Sequence, residues 1–227
     1  MERVLVVRTL QRCTQLVPEG RNRLPALFYF SGMRGHALGL FPPALDDVEW
    51  WIKRLSQPLF DQVSSHSPHN IPTIDLNVYA DASYKAIGVF IGREWLAWKF
   101  VTSLTTASPQ IVGFIGWAEL IAIELALVAL VARGHTSCRI PIKSDSTEAI
   151  HSLRRGLSKN LDKNLVVRRI VTLQHTSRIS LKLIHVPSHL HMADNLTNFN
   201  LPGDSRRFPH DVPLPEDLRT LAHSSIF

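Results

Sequence analysis

Residues 111–132 form a nearly unbroken apolar run, interrupted only by Glu119 and Glu124. A run of this length is long enough to cross a bilayer. A carboxylate near the middle of a membrane helix costs roughly 2.5–3.5 kcal/mol on insertion scales, and two of them offset much of the apolar gain. The remaining segments are short and of mixed polarity. The run is therefore read as a strand end followed by a helix buried on most sides, in a chain with no membrane partner. Such a helix has little use for an acid without a function, so Glu119 becomes the residue to explain.

A buried helix needs a core around it. Hydrophobic residues make up 45% of the 227 and charged residues 19%, which is enough apolar material to fold. Twenty-five Lys and Arg against nineteen Asp and Glu give a net charge of +6, favouring an acidic partner such as nucleic acid. Only Cys13 and Cys138 occur. That excludes a disulfide framework and a four-cysteine zinc site and fits a reducing, intracellular setting. No secretory signal peptide is visible at the start of the sequence.

The pattern along the chain predicts four parts. Residues 1–57 read as helices over 3–17, 21–34 and 42–55. In the third, Pro42 and Pro43 suit the first turn, Asp46, Asp47 and Glu49 complement the helix dipole, and Leu45, Val48, Trp51, Ile52 and Leu55 form one apolar face. Residues 58–73, rich in Ser and Pro, read as a linker. Residues 74–200 read as strands at 75–81, 86–92 and 94–101, the long helix, a strand at 138–144, helices at 146–153 and 161–176, a strand at 179–186 and a short helix near Ala193. A meander running into alternating strand and helix predicts an α/β fold with a mixed five-stranded sheet flanked by helices. Residues 201–227 read as a poorly ordered tail. Trp95 and Trp98 are expected on opposite faces of their strand.

Four acids sit at element ends: Asp81 and Asp145 close strands, Glu119 opens the long helix, and Asp194 follows the last strand. Strand carboxyl ends gather at one edge of an α/β sheet, where ligands bind. Carboxylates meeting there repel one another unless a hard cation such as Mg2+ or Mn2+ joins them. Two such ions roughly 4 Å apart can hold the attacking water and the leaving oxygen of a phosphodiester. Each acid alone also reads as a cap or turn residue. Glu124 rivals Glu119, and five positions turn a helix by about 140°, so both cannot face one site.

The segments "VYADAS", "WAELIAIELALVAL", "IKSDS" and "HVPSHLHMADNLT" resemble the motifs of a ribonuclease H domain, of the kind found in retroelement reverse transcriptases with fungal gypsy-like, DIRS-like and hepadnavirus-like flavour. The resemblance covers residues 75–198 and implies a ribonuclease H-like fold. It selects Glu119 over Glu124 and implies Asp81, Glu119, Asp145 and Asp194 as ligands of two Mg2+ ions, with Mn2+ as substitute. The implied activity is cleavage of the RNA strand of an RNA–DNA hybrid. "LQR", "LVPEGRNRL" and "PPALDDVEWWIKRL" resemble the thumb or connection stretch that precedes such a domain. The family's closing motif has Asn before Ala-Asp and Ser-Arg-Gly after it; here His191-Met192 precede and Thr197-Asn198-Phe199 follow. No Tyr-x-Asp-Asp polymerase motif is present. The chain thus reads as a fragment, processed portion or relic of an element whose palm and fingers are its expected partners.

His185, His189 and His191 fall in the closing loop. Imidazole titrates near neutral pH, which suits a general acid or proton shuttle beside the metals; a solvated loop histidine is the plain alternative. His189 best matches the loop histidine that the resemblance implies. Between residues 153 and 182, Arg154, Arg155, Lys159, Lys163, Arg168, Arg169, Arg178 and Lys182 face only Asp162. Arg154, Arg155, Lys159, Arg168 and Arg169, with Ser83 in the turn after Asp81, are the expected nucleic-acid contacts. The competing functions are a catalytically silent or domesticated module that binds nucleic acid or a protein, and a DNA nuclease or transposase of the same fold.

Overall fold

Apolar periodicity in the first fifty-odd residues and alternation after residue 75 give two compact units in the computed structural model, which describes residues 2–32, 42–57, 71–101, 113–200 and 203–224. The helical unit comprises residues 1–70 together with 155–168, and the sheet unit comprises 71–154 and 169–227. The helical unit therefore recruits a stretch from deep within the segment that the sequence pattern assigns to the second domain. The expected linker falls largely at 58–70, outside the described residues.

In the helical unit, α1 (Glu2–Cys13), a 3-10 turn (Pro18–Arg23), α2 (Pro25–Gly32) and α3 (Pro42–Leu55) enclose Val7, Val17, Leu24, Leu27, Ala44 and Trp51. Gly20 lies flat against the Trp51 indole, where an added Cβ would come within 2.4 Å of the ring. The face of α3 turned inward is not the one its leucines predict. Ala44, Asp47 and Trp51 are buried, while Leu45, Val48, Ile52 and Leu55 are exposed. Asp47 rather than a leucine is drawn inside because Arg23 (3.3 Å) and Arg168 (3.0 Å) both bind its Oδ1. Burial nevertheless raises its pKa to about 7.

In the sheet unit, β1 (Val78–Ala82), β2 (Ala86–Ile91) and β3 (Glu94–Phe100) form an antiparallel meander. After the long helix α4 (Phe114–Ala132), β4 (Arg139–Ser144) returns parallel to β1. Following α5 (Thr147–Arg155) and α6 (Leu161–Ser177), β5 (Ser180–His185) lies parallel to β4. The architecture is α/β, with a mixed sheet in the order β5–β4–β1–β2–β3. β1 starts three residues later than alternation predicts. Asp75 accepts the Asn77 N–H at 2.9 Å and Asn77 takes a left-handed φ of 54°, so the chain turns before Val78.

α4 packs against β1 and β2. Its most apolar 18-residue window has a mean hydropathy of 2.2 and is 83% buried. Trp95, Trp98 and Trp117 are all buried, so both indoles of β3 have cover, one on each face of the strand. Glu124 is neutralised by a two-pronged ion pair to Arg169, at 2.6 and 2.8 Å, and Arg169 also reaches Asp217 at 3.2 Å.

Residues 203–224, expected to carry little order, instead extend the sheet. β6 (Arg206–Arg207) adds parallel to the start of β3, and β7 (Ala222–Ser224) adds antiparallel to the end of the same strand, with the short α8 (Glu216–Arg219) between them in the chain. Phe208, Leu218 and Ala222 are the buried anchors. Arg133 stacks over Phe208 at 4.5 Å. Single anchors separated by prolines have no period, which is why the pattern conceals them. Leu218→Ala is expected to destabilise the sheet unit by about 2–5 kcal/mol, read by urea unfolding. An unchanged midpoint would mean the segment does not stay docked.

Candidate metal centre

β1 and β4 are parallel neighbours, so their carboxyl ends lie side by side. Asp81 lies near the end of β1 and Asp145 directly follows β4. Glu119, in the second turn of α4, joins them: one carboxylate oxygen from each lies within 4.8 Å of the other two. Asp81 and Glu119 are only 5% and 6% exposed. Burial, then the charges of Asp81 and Asp145, push Glu119 up to about 9, against a backbone hydrogen bond from Ala82. Burial and then Asp145 push Asp81 up to about 7, partly countered by the Thr197 hydroxyl. The Oε2 oxygen of Glu119 is buried with no hydrogen-bond partner. Three close acids with one bare oxygen form an oxygen-only donor set of the kind that suits a hard divalent cation.

Asp194 opens the short helix α7 (Asp194–Thr197) and stays outside the set of three. It is exposed, and its Oδ1 accepts a hydrogen bond from Asn198 at 3.2 Å. Its charge still contributes to raising Asp81, so it stands within electrostatic reach. Glu124 takes no part, being held by Arg169.

The other expected contacts separate. Ser83 Oγ accepts the N–H groups of Lys85 (3.0 Å) and Ala86 (3.2 Å) and donates to Thr197 O at 3.3 Å, so it shapes the β1–β2 turn. Arg168 and Arg169 are committed to Asp47 and Glu124. Arg154 donates to Leu183 O at 3.0 Å on β5. Arg154, Arg155 and Lys159 are exposed. His189 is exposed in a 3-10 turn, Ser188–Leu190. His191 is 4% exposed, with Nε2 3.1 Å from Lys143 O and its ring edge-on to Tyr79 at 5.4 Å.

Pattern reading missed Thr197, Ser188 and Gly88. Thr197 donates to Asp81 Oδ2 at 3.0 Å and Ser188 to Asp145 Oδ2 at 2.5 Å. Gly88 is paired with Asp81 across the β1–β2 ladder. A glycine inside a strand signals a close backbone approach, and that signal was available in the sequence.

No protein-family model matches the chain, and no curated protein matches it.

Glu119 and Asp81 bind a proton more tightly folded than unfolded. Their contribution to stability is full below their ordinary values of 4.5 and 3.8 and is lost as pH rises through about 9 and about 7. Cation-free protein should therefore lose stability between pH 5 and 9. Glu119→Gln should raise stability in EDTA at pH 8 by several kcal/mol, because at ~1.4 kcal/mol per pKa unit the acid must take up a proton far above its ordinary value and the amide need not. Thermal unfolding across that pH range checks this; a variant less stable than the parent at pH 8 would contradict it.

Proposed function

We propose that the sheet unit is a divalent-cation-dependent phosphodiester hydrolase of the ribonuclease H kind, acting on the RNA strand of RNA–DNA hybrids. The observation that carries the reading is the convergence of Asp81, Glu119 and Asp145 within 4.8 Å at the end of a mixed sheet. The bare, buried Glu119 Oε2 supports it, because an orphaned carboxylate oxygen costs stability unless a ligand uses it. Asp81, Glu119 and Asp145 would hold Mg2+ or Mn2+, and Asp194 is the further acid that a second ion requires. When bound, such a cation activates water and stabilises charge on the phosphate.

The chain's own groups supply the rest. The three acids gather negative charge where it repels phosphate, so productive binding of a nucleic acid is expected only with the cation present. Exposed Arg154, in the same unit as the acids, is the expected contact that would meet backbone phosphates. Exposed His189 has the freedom a proton shuttle needs, whereas His191 is held by Lys143 O. In this reading the helical unit is thumb- or connection-like, and the chain works beside the polymerase modules of a retroelement.

A second reading, a silent module that binds nucleic acid without cutting it, is favoured by one observation: Asp194 stands outside the close set of acids.

Incubation with a labelled hybrid in Mg2+ or Mn2+ tests the choice. The expected result is cleavage of the RNA strand alone, with duplex DNA and duplex RNA intact, and a fall of at least ~10²-fold in rate for Asp145→Asn. Folded protein that binds hybrid equally well with and without Asp145→Asn, and never cuts it, would select the silent module. Cleavage of duplex DNA instead would replace the substrate.

A further inference from the structure

The segment after β5 touches the carboxylate cluster at two points, each through a hydroxyl. Ser188 Oγ donates to Asp145 Oδ2 at 2.5 Å. Thr197 Oγ1 lies 3.0 Å from Asp81 Oδ2 and 3.0 Å from Asp194 O. A hydroxyl has one proton, and a carboxylate is a stronger acceptor than a peptide carbonyl, so the Thr197 proton belongs to Asp81. Thr197 is 0% exposed, and water does not compete for that bond.

The backbone is arranged for this contact. Gly88 of β2 sits opposite Asp81, and α7 rests directly upon it. A Cβ at Gly88 would meet Leu196 Cβ at 2.9 Å, Ala193 O at 3.0 Å and Thr197 Cγ2 at 3.3 Å. The missing side chain thus lets α7 descend far enough for Thr197 to reach Asp81. Leu196, 0% exposed, packs with Phe90, Trp95 and Ala97 and anchors the helix there. At the other end of the segment, His191 is joined to Lys143 O on β4.

We propose that Thr197 and Ser188 are positioning residues: the segment 186–197 is a clasp whose two hydroxyls fix the carboxylate planes of Asp81 and Asp145 for a divalent cation. This rests on the cation-binding reading above and concerns which residues arrange the ligands. Acids within 4.8 Å of each other turn apart when nothing holds them. Hydrogen bonds from outer partners keep ligating carboxylates in place, and removing such partners typically weakens metal binding by ~10–100-fold.

The test is Mn2+ binding to the full chain, followed by electron paramagnetic resonance of the free ion, with thermal unfolding in EDTA alongside. Thr197→Val removes the hydroxyl at constant shape and is expected to weaken Mn2+ binding by ~10–100-fold. Thr197→Ser restores the hydroxyl and is expected to stay within about threefold of the parent, a rescue that a purely packing role would not give. Ser188→Ala, on an exposed turn, is expected to weaken binding by ~10-fold. A folded Thr197→Val chain with parental Mn2+ affinity overturns the clasp while leaving the cation site standing. Should Thr197→Val fail to fold, parental affinity in Ser188→Ala overturns it instead. A parent chain that binds no Mn2+ overturns the cation reading itself, and the clasp with it.

Discussion

Mutual repulsion among Asp81, Glu119 and Asp145 is the constraint around which the sheet unit is arranged. Three carboxylates brought within 4.8 Å, two of them withdrawn from water, oppose folding. The surrounding structure supplies what holds them. The parallel pairing of β1 and β4 fixes two backbones side by side, and α4 is anchored by nearly continuous apolar burial on either side of Glu119. The apolar run that first suggested a bilayer is thus the means by which one acidic group is kept in an unfavourable place. Its second acid, Glu124, follows the opposite logic, since a guanidinium meets both of its oxygens.

Where side-chain period carried the information, the architecture was legible in the sequence. The meander, the two later strands and the long helix all sit near their expected places, because alternation and helical period report burial directly. Asp81 and Asp145 were legible as strand-end acids for the same reason. Glu119 was separable from Glu124 only by resemblance, and the geometry divides them in the same way, one clustered and one ion-paired.

What stayed hidden depends on contacts between residues far apart in the chain. Nothing local marks Asp47 as the buried residue of α3 in preference to Leu45 or Ile52; its burial follows from arginines elsewhere in the helical unit. Arg168 and Arg169 looked like phosphate contacts because charge counting cannot tell a free guanidinium from a paired one. Thr197 lies three residues from Asp194 at the end of the short α7, and its proximity to Asp81 exists only through the sheet. The strands near the end of the chain are two and three residues long, too short to have a period at all.

The division of the chain has a bearing on how it can be cut. Asp47 and Asn22, both from the first seventy residues, are satisfied by Arg168 and Asn164. A fragment ending before residue 155 would carry a desolvated aspartate with one cation in place of two and an unanswered peptide carbonyl. The helical unit is therefore not a detachable module in the order of synthesis. Its last segment, the first turns of α6, comes after β1 to β4 in chain order, so cutting the chain at the expected linker separates residues that belong to one core.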